Sequence, residues 1–351
     1  MKQKLRLVFL PFLLTLSGLI LVYTLLHWLI LIRFELFSIK EITSNLVVPM
    51  IVSGLVVLLM VRPRLRFLKL KKSKTRNWKD FYLIIAWIVL TTPLVIAQEY
   101  LVTATGKLTV LRKASEIDHT PLTKYYRFKS FYASKRIIGI HPNFEVSGKS
   151  NQSFDMYIYV ALPIFDGPAD TAGTTPPAWL GFSYRKTISN RLEPAQKEES
   201  YKQFARESEL DFASKNVNRF IYFDRPGSSD DREGFLEAIK SNPVYQPSKT
   251  VLVGVNEPFE ARNGHKLLWF LSSTFIGCLV WLVMVLIPKL AAHEIVKIQN
   301  GQQVSTIKSE LKPFWEMMRP KVGFLVTPVL IYINTAIYAL MAIIGLGFIF
   351  F

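Results

Sequence analysis

Cysteine is nearly absent from this chain of 351 residues: the single one, Cys278, sits inside an apolar run, which excludes an intrachain disulfide framework and a cysteine-built metal site. Histidine is scarce as well, five residues scattered with no cluster at metal-ligand spacing. Serine precedes glycine at Ser17, Ser53 and Ser147, but residue minus two is Thr15, Ile51 or Glu145. Gly-x-Ser-Gly, a setting that gives a nucleophilic serine its oxyanion hole, therefore does not occur. No cofactor-binding or catalytic motif stands out, and between 62 and 79 there is no acidic residue at all.

That acid-free stretch holds nine Lys or Arg and lies between two apolar segments. A charge run of this kind reads as a nucleic-acid patch, a surface for anionic lipid, or a cytoplasmic loop of a membrane protein. The aromatic interleaving that single-stranded nucleic acid needs is thin here, so no nucleic-acid partner is expected. Flanking runs of helix-spanning length favour the cytoplasmic loop, because short loops rich in Lys and Arg are retained on that side of a bilayer. The net charge of +17 then reads as topology plus attraction to lipid headgroups.

The spans follow in order. Residues 7–32 are apolar after Lys2, Lys4 and Arg6, long enough to cross a hydrocarbon core of about 30 Å, and too long and without the small-residue site of a cleaved signal peptide. Residues 33–45 balance two bases against two acids, as an external loop does. A second span over 46–61 returns to the basic loop, and a third over 81–97 contains Pro93, which predicts a kink packed against protein. A fourth over 267–288 leads into 289–321, where bases again outnumber acids. The fifth, 322–351, ends inside apolar sequence without a polar flank, so the chain is expected to be cut short at Phe351.

Between the third and fourth spans the pattern changes to that of a water-soluble domain, 102–266, long enough for its own core. A hairpin is predicted from 136–147 and 154–165 around the turn residues 147–152, a further strand over 178–188, a helix over 194–214, a short strand over 219–223, a helix over 230–240 and a last strand over 250–255. The expected fold is thus a multi-pass α-helical membrane protein of about five transmembrane helices: 1–101 with three of them, one extracytoplasmic α/β domain of mixed sheet at 102–266, and the rest beyond. The N-terminus is expected in the cytoplasm of the plasma (inner) membrane.

Few residues point to chemistry. Asp224, Asp230 and Asp231 flank a strand-to-helix loop, a place where α/β proteins hold ligands, and would suit a divalent cation; helix capping by Ser228, with Asp231 three residues on, is the favoured explanation. Glu257 and Arg262 lie in the linker to the fourth span, where they would contact a partner or fix the domain against the bilayer. Asn334 is an amide near the middle of the fifth span, which needs a partner on another helix. His27, beside Trp28, reads as a residue of the membrane interface.

At Ala97-Gln98-Glu99-Tyr100-Leu101 with Ala104-Thr105-Gly106-Lys107-Leu108, at Asn256 through Gly264, and at Pro328 through Asn334, the chain resembles long bacterial members of the rhomboid family of intramembrane serine proteases. In such proteins an N-terminal membrane extension precedes the catalytic core. The resemblance covers most of the chain but falls almost wholly in the extension, with 322–351 matching the first core helix. It implies a part of a protease that lacks the catalytic serine and histidine, so no catalytic residue carries over, and an outer domain that captures or gates membrane-protein substrates. The rival expectation is a non-enzymatic sensor whose outer domain binds a ligand.

Overall fold

Among the described residues, four stretches form helices long and apolar enough to cross a membrane. They are α1 (Lys2–Arg33), α2 (Thr43–Phe67), α3 (Trp78–Thr105) and α6 (Lys266–Leu286), the last entered through a short helical turn at Phe259–Asn263. The computed structural model describes residues 1–34, 39–70, 78–171, 175–242, 250–299, 330 and 334. The fifth expected span lies outside these apart from Leu330 and Asn334, both helical and exposed. The chain divides into two compact units, residues 1–104 with 263 onward, and residues 105–262.

In the helical unit, aromatic side chains fill the seam. Phe12 stacks on Trp281 with ring centroids 4.5 Å apart, and Tyr82 meets the same indole edge-on. A Cβ on Gly277 would lie 2.7 Å from Val89, so the small residue is what lets α6 approach α3. Pro93 is buried against protein. Other faces carry exposed Leu14, Leu21 and Phe275, apolar surface that lipid would cover.

The second span is longer than the sequence predicts. Residues 62–67 form a tighter final turn of α2 rather than a loop, because Leu65 and Phe67 have apolar surface to bury while Arg62, Arg64 and Arg66 stay at the rim. This end of the unit is knitted by backbone carbonyls: Lys4 Nζ donates to Leu286 O at 2.6 Å, Arg64 to Leu7 O at 3.3 Å, and the Lys69 amide to Lys289 O at 2.8 Å. Of these, Lys4 meets a carbonyl that the C-terminal end of α6 leaves unpaired, where a cation is favoured.

Among its described residues the second unit is a mixed eight-stranded sheet with a helix on each face. Its strands are β1 (Leu108–Leu111), β2 (Tyr125–Phe128), β3 (Tyr132–Ala133), β4 (Gly139–Ser147), β5 (Ser153–Phe165), β6 (Ala178–Ser189), β7 (Tyr222–Asp224) and β8 (Val251–Val255). They lie in the order β1-β2-β7-β8-β6-β5-β3, with β4 also on β5. Pairs β1–β2 and β6–β8 are parallel, the others antiparallel. The β4–β5 turn works because Gly148, Ser150 and Asn151 adopt positive φ of 82°, 59° and 53°.

Alternation along β5 sorts the two cores. Met156, Ile158, Val160 and Leu162 face α4 (Pro194–Ser214), which contributes Phe204 with Tyr201 and Phe212. Tyr159 and Ala161 face α5 (Asp230–Lys240) through Phe235, Ala238 and Ile239. Helix α4 begins with a reciprocal capping box between Glu193 and Gln196, and the ammonium of Lys135 closes its far end on the carbonyls of Phe212, Ala213 and Lys215 at 2.7–2.9 Å.

Candidate functional site

The residues that the sequence nominates do not converge. Asp224 ends β7 and its carboxylate is paired with Lys124 at 2.7 Å. Asp230 and Asp231 open α5, where Asp231 Oδ1 accepts from the Tyr159 hydroxyl at 3.2 Å. The cap of that helix is Ser229 and not Ser228. Ser229 has the extended backbone a cap requires, and its Oγ accepts from the Arg232 amide at 3.3 Å. Among the described residues no three His, Cys, Asp or Glu side chains are grouped as metal ligands. Glu257 is exposed; Arg262 lies over the Phe259 ring at 4.1 Å and donates to Phe259 O, beside the edge-on packing of Tyr125, Tyr222 and Phe259. Asn334 is exposed, and the residues on either side of it lie outside the described set.

Two sites emerge that no sequence pattern marks. The first is a groove of about 680 Å³ in the α/β unit, where the end of α4 meets β6 and β8. Phe182 and Phe220 form its floor; a Cβ on Gly254 would lie 2.4 Å from the Phe220 ring, so only glycine lets that ring lie flat on the sheet. Lys215 and Arg219 supply cations at the rim with Asn216 beside them, and Asn256 closes the far side. Lys215 is held in place by Asp211 and by the Tyr184 ring, 4.9 Å away, whereas Arg219 is exposed and has no ion pair among the described residues. The size is that of a ligand pocket, and the chemistry suits an anion with an apolar neighbour.

The second is a polar cluster at the end of the helical unit opposite the cations. Asn45 Nδ2 donates to Glu99 Oε1 at 3.1 Å, Ser44 Oγ to Asn45 Oδ1 at 3.1 Å, and the Tyr23 hydroxyl to Ser44 O at 3.1 Å. Gln98 reaches Thr24 at 3.4 Å, and Lys266 Nζ lies 3.8 Å from Glu99 Oε2. His27 sits among them 6 % exposed, beside Asn45, whose Nδ2 is turned to Glu99, and neither ring nitrogen makes a hydrogen bond of good geometry. Thr43 Oγ1 and Gln98 Oε1 are buried and unpartnered as well. His27 is therefore a buried residue and not the interfacial anchor its neighbour Trp28 implies.

A third polar residue is structural. Asp155, 2 % exposed, accepts from Ser147 Oγ at 2.6 Å, from Thr187 Oγ1 and from Arg185 Nη2 at 3.0 Å. The Ser147 bond first, then Thr187 and Arg185, hold its carboxyl below the usual carboxylate range. Every donor is provided by its neighbours on β4 and β6, so nothing is left to bind a ligand.

Compared with known proteins, the chain matches no family model, no curated protein and no solved structure.

Proposed function

We propose that the chain is a membrane-anchored recognition protein whose α/β domain holds an acidic, apolar-flanked segment of another membrane protein beside the bilayer. The observation that carries this reading is the groove of about 680 Å³ with a phenylalanine floor and the cation of Arg219 at its rim. Lys and Arg at the N-terminus, the end of α2 and Lys289 gather at one end of the helical unit. The positive-inside rule supports reading that end as cytoplasmic and the α/β domain as extracytoplasmic. If residues 97–101 with 104–108, 256–264 and 328–334 reflect the expected resemblance to rhomboid-type proteases, a partner of this kind follows from it. The captured segment would be a substrate handed to a catalytic core that this sequence, without Gly-x-Ser-Gly, does not itself encode.

The test is binding of a synthetic acidic-aromatic peptide to the full chain in nanodiscs. Arg219→Glu weakens it by roughly tenfold, the loss of one charge-assisted contact of about 1.4 kcal/mol; unchanged affinity contradicts the reading. In a complete protease carrying this segment, deleting residues 107–264 abolishes cleavage of a transmembrane reporter, and cleavage that survives the deletion argues against substrate capture. The second reading is a non-enzymatic sensor. It draws on sequence connectivity alone: Gly254 and Asn256 line the groove, and α6 begins at Lys266 further along the chain.

A further inference from the structure

We infer that the apolar groove between α1 and α2 is a lipid-binding site that takes one acyl chain of a membrane phospholipid, with the ester region of the lipid hydrogen-bonded to His27. The groove has a volume of about 370 Å³ and is lined by Leu19, Val22, Leu26, Ile30, Val48 and Val52, with Tyr23, His27 and Ser44 as its polar residues. Three observations on the helices select the occupant.

The first is length. From Leu19 to Leu31 the lining rises along α1 by about 18 Å at 1.5 Å per residue. One leaflet contributes about 15 Å of a hydrocarbon core of 30 Å. Of that length the stretch from Leu19 to His27, about 12 Å, takes the acyl chain along the membrane normal below an ester at His27, and the remainder to Leu31 lies beside the glycerol.

The second is access. Val22 and Leu26, 59 % and 49 % exposed, stand at its edge and belong to the outward apolar face of α1 with Leu21 and Leu25. The molecules that reach such a face in a bilayer are lipids.

The third is the orphaned polar group. His27 is more than nine-tenths buried, lines the groove and leaves both ring nitrogens unpaired. An unpaired buried imidazole is unfavourable by about 1–3 kcal/mol, more than an apolar residue of the same shape would be. A hydrocarbon alone cannot satisfy it. An ester carbonyl or glycerol oxygen can, and the imidazole lies about one and a half turns inside Arg33, at the depth where the polar and apolar parts of a lipid meet.

The experiment reconstitutes the full chain in vesicles of phosphatidylethanolamine and phosphatidylglycerol containing phosphatidylethanolamine with a diazirine on one acyl chain. Photolabelled peptides are then mapped. In the wild type, peptides carrying residues 19–31 and 44–52 are labelled roughly tenfold more densely than the exposed α6 residues Leu267, Leu271 and Phe275, equivalent to about 1.4 kcal/mol of preference. Val48→Trp with Val52→Trp fills the groove and removes that excess. His27→Phe keeps the ring volume, so it lowers labelling by the phospholipid probe and leaves labelling by a diazirine-bearing alkane unchanged. Labelling in the wild type no denser than on α6 overturns the inference without any variant, and would leave the groove to a protein helix. Equal loss with both probes in His27→Phe overturns the role given to the imidazole.

Discussion

Asp155 and His27 are both polar, both almost fully buried, and oppositely furnished. Asp155 sits in the sheet of the α/β unit, where the strands on either side place Ser147, Thr187 and Arg185 around it. His27 sits between membrane-spanning helices, where Tyr23, Ser44, Asn45 and Glu99 bond to one another and leave its ring without a partner. Buried polar groups in folded proteins are overwhelmingly satisfied, so each exception calls for an explanation. The satisfied group is part of the framework, and the unsatisfied one marks a place where something else binds.

If that contrast is right, removing the two groups has unequal consequences. Asp155→Ala leaves three donors facing an empty buried position and destabilises the α/β unit by about 3 kcal/mol, read as a lower denaturation midpoint. Gly139→Ala tests close packing in the same unit. A Cβ there would lie 1.8 Å from the Ala238 carbonyl, so α5 has to shift, and the cost is about 2 kcal/mol. Lys135→Met removes the cation that closes α4 and costs about 1 kcal/mol by the same measurement.

Acid sharpens the contrast further. Asp155 is held below its ordinary value of 3.8 by the Ser147 hydrogen bond, then by Thr187 and Arg185. A carboxyl whose folded value lies below its unfolded one contributes stability that is present above about pH 4 and is lost as the pH falls through the folded value. Asp155→Asn should therefore flatten the acid side of the stability curve measured by denaturant titration; an unchanged acid slope would mean the pairing does not form. The effect of opposite sign is expected from His27→Phe, which should stabilise the lipid-free chain in detergent by about 1 kcal/mol, because an apolar ring replaces an unpaired polar one.

Much of the architecture was legible in the residues, for reasons that also explain what was not. Helices α4 and α5 begin and end where Pro194, Ser214, Asp230 and Lys240 place them, since amphipathic spacing and terminal charge both act locally. The β4–β5 hairpin was announced by its β-branched and aromatic runs around a polar turn. Strands β1 to β3 carried no such signal. Each is four residues or fewer, and β1 and β2 owe their existence to pairing with each other and, for β2, with β7.

Neither site could be read from spacing. Phe182 comes from β6, Lys215 and Arg219 from the connection after α4, and Gly254 from β8, and their convergence is a property of the sheet order. His27, Asn45 and Glu99 each stand near the end of a different span, where a polar residue ordinarily reads as an interfacial anchor. A polar cluster inside a helical unit is the feature that membrane physics treats as functional by default, but only the packing of α1, α2 and α3 brings these three together. The one available signal was that all three fall at the same predicted end of the unit, opposite Lys4, Arg64 and Lys289.

The most direct measurement is the thermal unfolding midpoint of the full chain in detergent, with and without added phosphatidylethanolamine, for the wild type and His27→Phe. A ligand that binds only the folded state raises its stability in proportion to the logarithm of its concentration. The account predicts that lipid raises the wild-type midpoint and leaves the His27→Phe midpoint nearly unmoved. Equal stabilisation of both proteins, or a lipid-free His27→Phe chain as unstable as Asp155→Ala, would contradict it.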